Sequence, residues 1–111
     1  MLLIMSIPKR LHGPAQLGNA AATVYTVPTG RIAVIRNIHI VNPTAGDVTF
    51  TVSIGADAAA TRIFSDQAAM AEDCYDSFAP FVLAAGEVVQ AYASAAASLT
   101  MTIDGEEELI A

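Results

Sequence analysis

Alternation of apolar and polar side chains with a period of two runs through most of the chain. In DVTFTVSI (47–54), Val48, Phe50, Val52 and Ile54 fall on one side and Asp47, Thr49, Thr51 and Ser53 on the other. This is the pattern of a strand with one face in a core. SLTMTID (98–104) repeats it, with Leu99, Met101 and Ile103 inward and Ser98, Thr100, Thr102 and Asp104 outward. RIAVIRNIHIVN (31–42) puts Ile32, Val34, Ile38 and Ile40 in one register, and Arg36 shares it. Either a β-bulge near Arg36 and Asn37 shifts the phase, or the arginine is paired.

Turn signals cut these runs at short intervals. VPTG (27–30) combines a proline that fixes φ with a glycine free to take positive values, NPTAGD (42–47) is expected to close the next hairpin, and AAGE (84–87) does the same before EVVQAYA. Further strands are expected at 14–18, 22–27, 60–64, 74–83 and 87–93, and one helical turn over SDQAAMAED (65–73). About eight short strands at this spacing predict an all-β fold: a single-domain antiparallel β-sandwich, jelly-roll or immunoglobulin-like. Residues 1–12 read as an N-terminal arm and 13–111 as the sandwich domain.

Composition narrows what such a fold does. The 111 residues suit one domain with a modest core, and Cys74 is the lone cysteine, so no intrachain disulfide and no four-ligand zinc pattern is available. The net charge of −6 is uneven: residues 1–55 carry Lys9, Arg10, Arg31 and Arg36 against Asp47, whereas residues 56–111 carry Arg62 against ten acids. The halves attract each other, within a chain or between neighbours. One lysine in an acidic chain argues against nucleic acid and against an anionic membrane, since both require clustered cations. The apolar opening MLLIMSI spans seven residues, short of the ~20 that cross a bilayer, and its basic residues follow the apolar run. It reads as an arm lying on a neighbouring subunit.

Candidate chemistry is sparse. His12 and His39 lack the spacing of a metal pair and read as ordinary hydrogen-bonding residues, and Asp66, Glu72, Asp73 and Asp76 lack the glycine-punctuated loop of a calcium site and read as a solvated acidic surface. EDCYD surrounds Cys74 with negative charge, which disfavours a thiolate nucleophile. No G-x-S-x-G elbow and no glycine-rich phosphate loop is present, and the absence of tryptophan weakens a sugar-binding reading. The sequence predicts neither an enzyme nor a cofactor. Glu106, Glu107 and Glu108 read as a charged end that meets Lys9 and Arg10 of a partner chain, and the seven aromatic residues as packing, with Phe78 and Phe81 near an edge.

Four segments carry a family resemblance: YTVPTG (25–30), IHIVN (38–42), TFTVSIGADA (49–58) and LAAGEVVQAYAS (83–94). Over residues 13–108 the succession resembles small β-sandwich structural proteins encoded in tailed-bacteriophage genomes. The resemblance implies a virion component without catalytic residues: a capsid decoration protein made in the host cytoplasm and bound to the particle. The alternatives are a minor tail or baseplate subunit, or a carbohydrate or host-receptor binding module. Implied partners are further copies of the chain, as a homotrimer or other symmetric oligomer, and the major capsid protein or tail proteins. The expected contact residues are Met1, Leu2, Leu3, Ile4, Met5, Ile7, Lys9, Arg10, Arg36 and His39, with Arg31 as a further polar contact.

Overall fold

The computed structural model describes residues 6–110. Among the described residues, nine strands follow one another: β1 (Ser6–Gln16), β2 (Ala22–Thr26), β3 (Arg31–Asn42), β4 (Val48–Ile54), β5 (Arg62–Ala69), β6 (Asp73–Ser77), β7 (Phe81–Leu83), β8 (Val88–Ala93) and β9 (Thr100–Leu109). The first sheet has the order β1-β9-β3-β6, with β7 also on β3, and the second β2-β8-β4-β5. Every pairing is antiparallel. The first strand lies beside the last, and most connections cross from one sheet to the other. This strand order is that of a jelly roll, so of the two expected sandwich types the immunoglobulin-like one is set aside.

Side chains from both sheets meet in one core. Ile35, Ile38, Ile40, Leu83, Met101 and Ile103 come from the first sheet, and Phe50, Val52 and Val89 from the second; each is at most 1% exposed. Fully burying a side chain of this size stabilises the fold by about 1.5–3 kcal/mol. Phe50 (β4), Phe64 (β5) and Tyr75 (β6) close one flank with edge-to-face contacts at centroid separations of 5.3–5.9 Å.

Several expectations are corrected. NPTAGD closes no hairpin: β3 and β4 belong to different sheets, and the segment arches between them. AAGE likewise arches from β7 to β8. A local turn signal specifies a reversal and leaves the pairing partner open. Buried Asn42 ties the first arch down, donating to the carbonyls of Gly46 (2.9 Å) and Ala69 (2.8 Å) and accepting from the Thr44 amide (3.0 Å). The arches at 27–30 and 84–87 are joined by mutual backbone bonds between Val27 and Glu87 (2.9 Å) and between Gly86 and Val27 (3.0 Å).

No helical turn forms at 65–73; most of it extends β5, paired with β4, before a turn leads into β6. The boundary expected between residues 12 and 13 falls inside β1, whose residues 6–12 already pair with β9. Pro8, Lys9, Arg10 and Pro14 mask that strand in the sequence, and they suit an edge position, where proline removes no ladder bond and charge discourages strand addition. The strand expected at 74–83 is two, β6 and β7, separated by Phe78, Ala79 and Pro80. That break lies opposite the irregularity between Ile35 and Asn37 in β3. The bulge expected at Arg36 is therefore present, and the strand before it takes the opposite register: Ala33 and Ile35, not Ile32 and Val34, share the core face with Ile38 and Ile40. Nor is β4 polar on an open face. Thr51 and Ser53 are buried, with the Ser53 hydroxyl donating to Asp57 (2.8 Å) and Thr51 Oγ1 accepting from the Asp66 amide (3.1 Å).

Gly105 of β9 packs tightly against β3: an added Cβ would overlap the Val34 carbonyl oxygen and meet Leu11 Cδ1 at 3.0 Å. Gly105→Ala is expected to lower stability by about 1–3 kcal/mol. Urea unfolding checks this, and an unchanged midpoint would mean that the two strands separate at little cost.

Candidate functional site

Three groups of polar or exposed apolar side chains stand out, all built on the first sheet. The first is internal. Continuing the inward register of Met101, Ile103 and Gly105 along β9, Glu107 lies opposite Ala33 and is 1% exposed. A carboxylate there needs partners to remain charged. Lys9 Nζ of β1 lies 3.2 Å and Arg31 Nη1 of β3 2.9 Å from Oε1, and the Tyr25 hydroxyl of β2 donates to Oε2 at 2.5 Å. Burial pushes the Glu107 carboxyl up, but the hydrogen bonds from Tyr25, Lys9 and Arg31 outweigh it and hold the group below the usual carboxylate range. Burial, followed by the bond to Glu107, drives the Tyr25 phenol well above its ordinary value. Tyr25 belongs to the second sheet and the other three residues to the first, so this cluster clasps the two sheets together.

The second group is the outer face of the first sheet. The Arg36 side chain leaves the bulge and its Nε donates to Glu106 Oε1 at 3.0 Å; Ser6 donates to the same carboxylate. The Ser6 bond first, then the Arg36 bond, hold the Glu106 carboxyl below its ordinary value. Arg10 faces Asp104 at 3.7 Å. His39 Nδ1 lies 2.6 Å from Asp76 Oδ1, because β3 and β6 pair these two residues directly. Cys74, two residues before Asp76 and therefore on the same face, brings its sulfur near them: one ligand atom from each of His39, Cys74 and Asp76 lies within 4.8 Å of the others. Cys74 also walls a cleft of about 430 Å³ lined by Val41, Asn42, Pro43, Glu72 and Asp73.

The third is apolar. Phe78, in the break between β6 and β7, is 71% exposed, and Val82, on the outward side of β7, is 70% exposed.

The expected contact residues thus separate. Met1, Leu2, Leu3, Ile4 and Met5 lie outside the described residues. Ile7 is 37% exposed at the sheet end. Lys9 and Arg31 turn toward Glu107, Arg10 and Arg36 pair on the outer face, and His39 joins Asp76. Of the acids assigned to a partner chain, Glu107 engages Lys9 and Arg31 and Glu106 engages Arg36 within the chain, while Arg10 takes Asp104. Glu107 was missed because EEE reads as a solvated run, although the alternation from Met101 through Ile103 and Gly105 points it inward. The triad was missed because its members are thirty-five or more residues apart on one side and two on the other, a proximity only the β3–β6 register creates.

Neither a protein-family model nor a curated protein matches the sequence. Among solved structures, the chain is similar to one from the acid-stable capsid structure of Helicobacter pylori bacteriophage KHP30. The two share 14% identity with a TM-score of 0.57, over 98% of this chain and 95% of that one. At this identity the similarity concerns the fold.

Replacing Glu107 by Gln removes the anion that Lys9 and Arg31 face and is expected to cost about 1–3 kcal/mol at neutral pH. A carboxyl held low in the folded state contributes stability that is complete above its unfolded pKa and lost as the pH falls through its folded one. The difference between the native chain and Glu107→Gln should therefore be largest at neutral pH and shrink on acidification. Urea midpoints measured across the acid range check this, and a constant difference contradicts it.

Proposed function

We propose that this jelly roll is a structural protein of a bacteriophage virion, most specifically a capsid decoration protein that acts through contacts and without catalysis. The observation that carries the reading is the end-to-end similarity, over nearly the whole of both chains, to a chain of a phage capsid structure. The family resemblance in the turns and strands supports the same reading. In it, copies of the chain associate symmetrically, as a homotrimer, and sit on the major capsid protein. A particle component needs a rigid module and side chains left over for neighbours. The arches, buried Asn42 and the Glu107 clasp supply rigidity. Phe78 and Val82 are the apolar groups on the β6–β7 edge that the fold does not bury, and in this reading they seat the protein against its neighbours.

A minor tail or baseplate subunit is the alternative within the same class, and copy number separates the two. Mass spectrometry of purified particles from cells carrying the gene should find the chain at a copy number comparable to that of the shell protein. A few copies per particle would favour the tail, and absence from particles would overturn the virion reading. Paired replacement Phe78→Asp and Val82→Asp should leave circular dichroism and stability nearly unchanged, since surface changes fall within about 0.5 kcal/mol. The same variant should lose association with particles, and undiminished association would rule out the β6–β7 edge as the contact.

A further inference from the structure

We propose that His39, Cys74 and Asp76 form a binding site for a divalent transition metal of the zinc class. The site stands apart from the virion reading and is tested on the isolated chain. Three observations carry it. The ligand atoms belong to three different donor types and lie within 4.8 Å of one another. They are held by paired strands, since His39 lies opposite Asp76 and Cys74 opposite Val41, so the backbone carrying them is already ordered. Finally, Cys74 opens onto a cleft of about 430 Å³ that also bears Glu72 and Asp73, whose negative charge draws a cation toward the thiol and whose volume admits one.

The donor set selects the metal. Magnesium and calcium take oxygen ligands in sets of six or more, whereas a thiolate with an imidazole and one carboxylate suits zinc and its neighbours. With metal–ligand bonds of about 2.0–2.3 Å, tetrahedral ligands stand about 3.3–3.7 Å apart. The His39–Asp76 pair at 2.6 Å therefore opens slightly as the metal replaces the hydrogen bond between them. On binding, the Cys74 thiol gives its proton to solvent, His39 coordinates as the neutral imidazole, and Asp76 coordinates through one carboxylate oxygen. Three protein ligands leave a fourth position, which faces solvent and is filled by water.

The bland alternative is a surface His39–Asp76 hydrogen bond with an unrelated thiol nearby, and it predicts no ordered metal binding. Zinc added to the reduced, metal-free protein should bind with one-to-one stoichiometry by calorimetry. Cobalt as a probe should give the thiolate charge-transfer absorption and the intense visible bands of a tetrahedral site. Cys74→Ser and His39→Gln should each weaken zinc binding by at least about tenfold, a loss that even an outer partner of a ligand causes. Cys74→Ser should also abolish the cobalt charge-transfer band. All of these positions lie at the surface, and circular dichroism verifies that the variants fold. Absence of stoichiometric binding overturns the proposal, as does binding whose affinity is the same in His39→Gln, because the metal would then sit elsewhere.

Discussion

The carboxylate of Glu107 sits where the two sheets of the sandwich converge, and the other elements are arranged around its need for partners. It is carried by β9, the strand that pairs with both β1 and β3, and it engages one cation from each. Tyr25 reaches it from the opposite sheet. Such a cluster says less about net stability than about uniqueness, because a hydrophobic replacement of similar shape can be as stable. Its sharper effect is on register. Side chains alternate along a strand, so slipping β9 by one residue would turn Met101, Ile103 and Glu107 to the outer face together and bring Thr102 and Asp104 toward the core. The adjoining Gly105, which tolerates no side chain against Val34, fixes the same alignment from the backbone.

With the register fixed, the outer face of the first sheet follows. The bulge at Arg36 sends that side chain outward to Glu106, and beyond it the phase of β3 places His39 opposite Asp76. All five lysines and arginines of this acidic chain pair internally: Lys9 and Arg31 with Glu107, Arg10 with Asp104, Arg36 with Glu106 and Arg62 with Asp57. Charge pairing between halves of the chain is thus largely an internal matter. Apolar side chains are also left exposed, Phe78 and Val82 most of all, with Met70 and Ile110 somewhat less so.

Much of the fold was legible in the pattern of side chains, and the site hardly at all. The core positions of β4 and β9 could be read from simple alternation, since one face of each is packed and the residues are bulky and branched. β1 was hidden because an edge strand is held by backbone bonds and carries prolines and charges, which alternation does not register. The inter-sheet arches were hidden because Asn42-Pro43 and Ala85-Gly86 announce a turn without naming the strand that follows it. Thr51 and Ser53 looked exposed because their cover comes from the 55–66 segment, a contact made only in three dimensions. The His39, Cys74 and Asp76 grouping is of the same kind, for it exists only once β6 has found β3.

The central claim, that this jelly roll is a structural part of the virion shell, is tested most directly by a cryo-electron-microscopy reconstruction of the particle. The expected result is density for symmetric copies of the nine-stranded fold on the outside of the capsid, with the β6–β7 edge turned toward a neighbouring subunit. A complete shell and tail whose density is accounted for without this chain would contradict it.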